Sequence, residues 1–233
     1  MIVDEKRAGQ IAENVRAVRS RIDQAARESG RGGDEITLVA VSKTHPAEMI
    51  EAAVACGVTD IGENRVQEAA GKIERLGHIA RWHLIGHLQS NKAATAVRLF
   101  DMIQALDSVA LAYKVSQAAT AQGKTVDCLI EVNSSGEATK FGLAPQEVIA
   151  TAGNIVRLPG IVLRGLMTIG PLTDDMNQIR RAFEMTAGLF DRMKTECGPR
   201  IDTLSMGMSG DFETAIRCGA TMVRVGAAIF GGR

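Results

Sequence analysis

Eight short apolar runs, each followed by a helical pattern, fill the chain from residue 36 onward, and this alternation restricts the fold more than any other feature. The first run, Ile36-Thr37-Leu38-Val39-Ala40-Val41-Ser42, is nearly continuous and β-branched, as in a strand buried on both faces. Residues 59–62, 82–85, 102–106, 126–132, 161–169, 203–205 and 222–225 supply the other seven. Helical patterns enter at Pro46, Asn91, Asp107-Ser108, Pro145 and Asp211, and close at Cys56-Gly57 and Gly77. An amphipathic helix comes first, over residues 5–26, with Ile11, Val15, Val18 and Ile22 on one face. Eight strand-helix units over about 200 residues is the period of a (β/α)₈ TIM barrel. A doubly wound open sheet would show a Gly-rich first turn, and no GxGxxG follows the first run. The expectation is an α/β chain with one domain over residues 1–233: an N-terminal helix and linker (1–33), then the barrel (34–233).

Barrels of this kind carry their chemistry at the carboxyl ends of the strands. Those positions hold Lys43, Asn64, His83 with Gly86, Asn133, Met167 with Thr168, residues 205–209, and Arg224 with Gly226. A lysine there, where water is scarce, is pushed toward its neutral, nucleophilic form, which makes Lys43 a candidate Schiff-base lysine. The plainer alternative is a lysine that snorkels to the surface or pairs with Glu63. The segments Ser205-Met206-Gly207-Met208-Ser209-Gly210-Asp211 and Arg224-Val225-Gly226-Ala227 look like a phosphate cup. Small residues let backbone approach an anion, with Ser205 and Ser209 as hydroxyl donors and Arg224 as a fixed charge. Ordinary turn chemistry with Asp211 as a cap is the competing account. Lysine plus phosphate cup is the minimum kit for holding pyridoxal phosphate (PLP), and a Schiff-base phosphosugar aldolase fits it in outline.

Composition narrows the partners. Net charge is zero and aromatics are 3% of the 233 residues, which gives no footprint for nucleic acid. No apolar stretch is long enough for a membrane span, and Met1-Ile2-Val3-Asp4-Glu5-Lys6-Arg7 lacks signal-peptide order. Cys56, Cys128, Cys197 and Cys218 are scattered and read as reduced thiols of a cytoplasmic protein. His83 and His87 are four apart, but on an expected strand with Gly86 between them and without an HExxH motif, so no metal is expected.

Several blocks resemble one family. Ala40-Val41-Ser42-Lys43-Thr44, Gly62-Glu63-Asn64-Arg65-Val66-Gln67-Glu68 and Trp82-His83-Leu84-Ile85-Gly86-His87-Leu88-Gln89-Ser90-Asn91-Lys92 are similar to the pyridoxal phosphate homeostasis protein family. So are Asn133-Ser134-Ser135-Gly136-Glu137-Ala138-Thr139-Lys140-Phe141-Gly142, Gly165-Leu166-Met167-Thr168-Ile169 and the two C-terminal segments. The resemblance implies a barrel like the N-terminal domain of alanine racemase (PLP fold type III), with PLP on Lys43 as an internal aldimine. It places Ser205, Ser209 and the backbone at Arg224 and Gly226 around the phosphate, with Arg224 alternatively at the pyridine nitrogen. Asn64, His83 and Met167 come close to the cofactor, and Lys140 is a secondary or transfer site.

The implied role is to carry PLP in intracellular vitamin B6 homeostasis, without robust turnover, with PLP-dependent apo-enzymes as partners; a barrel without an arm domain points to a monomer. A PLP-dependent amino-acid racemase is the alternative. Two-base racemization needs a second acid/base, often a tyrosine, and the one tyrosine, Tyr113, falls inside a helical run.

Overall fold

The first apolar run folds as β1 (Thr37–Val41), and the seven others follow in order as parallel neighbours. They are β2 (Asp60–Glu63), β3 (Arg81–Leu84), β4 (Met102–Leu106), β5 (Val126–Val132), β6 (Ile161–Thr168), β7 (Thr203–Ser205) and β8 (Met222–Val225). In this computed structural model, which describes residues 4–137 and 140–232, β8 pairs back onto β1 and closes an eight-stranded parallel barrel. The extreme N-terminus (residues 1–3) read for signal-peptide order, two residues of the 133–142 motif (Ala138 and Thr139) and Arg233 lie outside the described residues.

The period-two geometry of a strand sorts side chains into two cores. Leu38, Ala40, Ile61, Leu84, Ile103, Cys128, Leu166, Leu204 and Val223 point outward and are buried under the helices. Val39, Met102, Leu129, Met167 and Met222 point inward and form a small apolar plug inside the barrel. Toward the carboxyl end Val41 and Ile169 keep two positions apolar, whereas Asn64, His83, Gln104, Glu131, Ser205 and Arg224 make the others polar.

The N-terminal helix α1 (Glu5–Glu28) runs two residues beyond the expected end and buries Ile11, Val15, Val18 and Ile22. Its Asn14 donates to the Ile229 carbonyl at 2.8 Å, and Arg21 pairs with Glu213 at 2.6 Å, so it clamps the C-terminal units. Helix α2 (Ala47–Ala55) starts after Pro46 rather than around it. Gly57 and Gly219 adopt φ of 86° and 100°, the left-handed turns expected where these helices end. Two expected helix starts differ. The turn at Asn91 is 3₁₀ (Ser90–Lys92), and the α-helix begins only at Ala93. Asp211 precedes the helix Phe212–Arg217 without capping it; its Oδ1 accepts the Met208 N–H at 2.5 Å instead. The side chain therefore braces the 205–211 loop from below, and burial pushes its carboxyl up.

Candidate functional site

At the carboxyl end of the barrel a cavity of about 520 Å³ opens, within the usual range for small-molecule sites. Lys43, Asn64, Ser209, Arg224 and Gly226 line it, together with Glu131, Ile169 and Met208. Five of the eight residues singled out from sequence therefore meet here. His83, Met167 and Ser205 do not line it; each is fully buried a layer deeper. Met167 belongs to the plug.

The Lys43 wall is built from buried charge. Ser42 Oγ donates to Glu63 Oε1 at 2.5 Å. Lys72, from helix α3 (Val66–Leu76), donates to the Ser42 carbonyl at 2.8 Å, to Glu63 at 2.6 Å and to Glu68 at 2.8 Å. Glu68 Oε1 also accepts the Thr44 N–H at 2.5 Å. Thr44 has φ of 68°, a left-handed conformation that a β-branched residue adopts only under restraint. The residues on both sides of Lys43 are thus tied to one ion network, which aims the lysine. Burial pushes the Glu63 carboxyl above its ordinary range, against the pull of Lys72 and Ser42. Glu68 is held below it, the bonds from Lys72 and Thr44 outweighing its burial.

The opposite wall is built from backbone. Gly226 N–H and Ala228 N–H both donate to Ser209 Oγ at 3.3 Å, so two amides already converge on one oxygen. A Cβ on Gly226 would lie 3.2 Å from the Val41 carbonyl oxygen. Gly207 has φ of 92°, and a Cβ there would meet Ala215 Cβ at 2.6 Å, so the loop reaches its position only with glycine. Near Asn64, Gly86 serves the same end: a Cβ would stand 2.5 Å from the Asn64 carbonyl oxygen.

Below the cavity floor, polar side chains join across the lumen. Arg224 Nη1 donates to Ser205 Oγ at 2.7 Å and Nη2 to the Thr168 carbonyl at 2.8 Å. Ser205 Oγ lies 2.7 Å from Gln104 Oε1, Gln104 Nε2 lies 3.0 Å from His83 Nδ1, and His83 Nε2 lies 2.8 Å from Asp60 Oδ1. Burial lowers the Arg224 guanidinium to about 10, leaving it charged at neutral pH.

Sequence reasoning missed Glu131. It is 6% exposed, its Oε2 is buried without a hydrogen-bond partner among the described residues, and burial raises its carboxyl to about 7. It also borders a side cavity of about 180 Å³ with Asn133, Lys140 and Phe141. An acid inside the apolar run Val126-Asp127-Cys128-Leu129-Ile130-Glu131-Val132 was the available signal, since such a residue is rarely buried without a role. Phe141 stacks on His87 with centroids 3.9 Å apart, at the edge of the main cavity. Lys140 pairs with Glu137 at 2.7 Å and donates to the Gly170 carbonyl at 3.2 Å. Tyr113 is 52% exposed and lines none of this. Among the described residues no group of three His, Cys, Asp or Glu is disposed to hold a metal, and no helix is long and apolar enough to cross a membrane.

Comparison with known proteins identifies the family of the chain. The family model for alanine racemase, N-terminal domain, matches residues 8–233. The pyridoxal phosphate homeostasis protein of Haemophilus influenzae is 40% identical over 227 residues, covering 96% of each chain. The crystal structure of a protein from Bifidobacterium adolescentis superposes with a TM-score of 0.93 at 41% identity, covering 98% of both chains. PipY of Synechococcus elongatus, solved with PLP bound, superposes with a TM-score of 0.83 at 34% identity, covering 95% of this chain and all of that one.

Proposed function

Since the chain belongs to the alanine racemase N-terminal domain family, and within it to the pyridoxal phosphate homeostasis proteins, we propose that it binds PLP through Lys43 and serves in vitamin B6 homeostasis. The observation that carries this reading is the convergence of Lys43, Arg224, Gly226 and Ser209, the hydroxyl that gathers the Gly226 and Ala228 amides, on one cavity of about 520 Å³. Bound there, PLP supplies an aldehyde that condenses with a primary amine. The residues fit that group. Lys43 offers the amine, held in place by the Ser42 and Thr44 anchors. The paired N–H groups that now hold Ser209 Oγ are the donors a phosphate oxygen requires. Arg224, tied inward to Ser205 and Thr168, is better placed for the ring end of the cofactor than for its phosphate. Asn64 and Gly226 border the cavity, whereas Met167, His83 and Ser205 act from beneath it.

The reading is of a carrier rather than an enzyme with robust turnover. Tyr113 on the outer surface supplies no second base. We take it to act in the cytoplasm as a monomer that hands PLP to apo-enzymes; a dimer mass in solution would remove the monomer from this reading. The test of the site is a visible spectrum of the purified protein, before and after borohydride, with peptide mapping. A reducible band and a pyridoxyl mass on the Lys43 peptide are expected, and Lys43→Ala abolishes both. A reducible adduct that survives Lys43→Ala moves the attachment elsewhere. No band after incubation with PLP overturns the proposal.

A further inference from the structure

The buried chain Arg224–Ser205–Gln104–His83–Asp60 has one permitted direction. Arginine only donates, so Ser205 Oγ accepts from it. The Ser205 hydroxyl donates in turn to Gln104 Oε1, which leaves the Gln104 amide nitrogen toward His83, the order that an acceptor carboxylate at Asp60 also requires. The other amide hydrogen of Gln104 faces Met222 Sδ at 3.2 Å. Receiving a hydrogen bond at Nδ1, His83 must carry its proton on Nε2 and donate to Asp60, a carboxylate that also accepts from Thr59 at 2.7 Å. All five residues are buried, none more than 5% exposed, so water has little access to the links. The chain crosses the lumen from β2, β3 and β4 to β7 and β8, with a fixed positive end at the cavity and an acceptor at the far wall.

We propose that Gln104, His83 and Asp60 are positioning residues for Arg224, acting in series through Ser205 to fix which N–H groups of the guanidinium face the cavity. With all links made, Ser205 has no freedom to rotate and Arg224 is held as a fork at two points, Ser205 Oγ and the Thr168 carbonyl. Breaking the chain at Gln104, the residue that spans the lumen, frees Ser205 to turn and releases one of the two. None of the three touches the cavity. The inference rests on the PLP reading only for its ligand readout, because the direction of the chain is a property of the protein alone.

The decisive experiment is a double-mutant cycle on Gln104→Met and Arg224→Met, read by PLP affinity and by the absorption maximum of the bound cofactor. Gln104→Met is expected to weaken PLP retention about tenfold, the equivalent of one charge-assisted hydrogen bond, and to displace the band. In the Arg224→Met background the same change should add nothing, since its effect passes through Arg224. Additive losses, or a band and affinity unchanged by Gln104→Met, overturn the proposal. Nitrogen-15 spectra of the ligand-free wild-type protein test the chain separately, and decide the matter if the variant does not fold or the wild type binds no PLP. A proton on Nε2 of His83 is expected; a proton on Nδ1 reverses the chain and ends the inference. Failure of wild-type PLP binding alongside an Nε2 proton removes the cofactor assignment and leaves the relay standing.

Discussion

The two walls of the cavity solve the same task by opposite means. On the β1–β2 side, Lys43 is aimed by side-chain charges: Lys72 holds Glu63, Glu68 and the Ser42 carbonyl together, and the strained Thr44 hangs from Glu68. On the β7–β8 side, the anion cradle is made from backbone amides brought close by glycines, with one hydroxyl, Ser209, between them. A charge network concentrates its dependence on one residue, whereas a backbone cradle spreads it over the path of the chain. The first wall should therefore fail abruptly on a single substitution and the second should yield little.

The largest expected effect tests the first wall. Lys72→Met leaves Glu63 wholly buried and Glu68 partly buried without their cation. Breaking a buried ion pair on one side destabilises by about 3–5 kcal/mol. Glu63 can escape part of this by taking up a proton, so the loss in chemical denaturation should be larger at pH 8 than at pH 5. A loss below about 1 kcal/mol at both pH values, typical of surface pairs, would show that the wall does not depend on Lys72.

Glu131 sharpens the contrast, being an acid on the cavity wall whose Oε2 has no partner among the described residues. Its carboxyl is raised to about 7 from 4.5, so the folded protein holds this proton over a range where the unfolded chain has lost it. A raised acid contributes its stability below the ordinary carboxylate range, loses it as pH climbs from 4.5 toward about 7, and is flat above that. The stability of ligand-free wild type minus that of Glu131→Gln should accordingly fall across this window by up to about 3 kcal/mol. A difference that is flat, or that rises with pH, would mean that Glu131 is ionised and paired.

How far the sequence reveals these features depends on the kind of information each requires. The eight strands could be read because a β-branched apolar run leaves few alternatives, and β4, β5, β7 and β8 begin and end where their runs do. Lys43 and the Gly/Ser loops were legible because barrels place chemistry at strand ends. Lumen-facing polar residues also leave a trace: His83, Gln104, Glu131 and Arg224 each interrupt an apolar run. What no run reveals is pairing across the lumen. Ser205 reads as a loop hydroxyl until Gln104, 101 residues away, is seen to accept its hydrogen bond. Asp211 reads as a helix cap for the same reason, because its true partner, the Met208 N–H, depends on the fold of the loop. Local pattern fixes which face a residue takes, and tertiary closure decides what it meets there.

The smallest effect belongs to the backbone wall. Ser209→Ala removes the acceptor of two amide hydrogens, each at a long 3.3 Å and only partly buried, so solvent can replace it. A net change of about 0.5–1.5 kcal/mol in the stability of the ligand-free protein is expected, the ordinary value of a protein hydrogen bond. PLP affinity should drop no more than about fivefold, because the amides of Gly226 and Ala228 remain in place for a phosphate oxygen. Thermal denaturation and equilibrium dialysis with PLP separate the two effects. A loss of affinity well beyond tenfold would make the hydroxyl itself the principal phosphate donor. It would also abolish the contrast, since both walls would then hang on a single side chain.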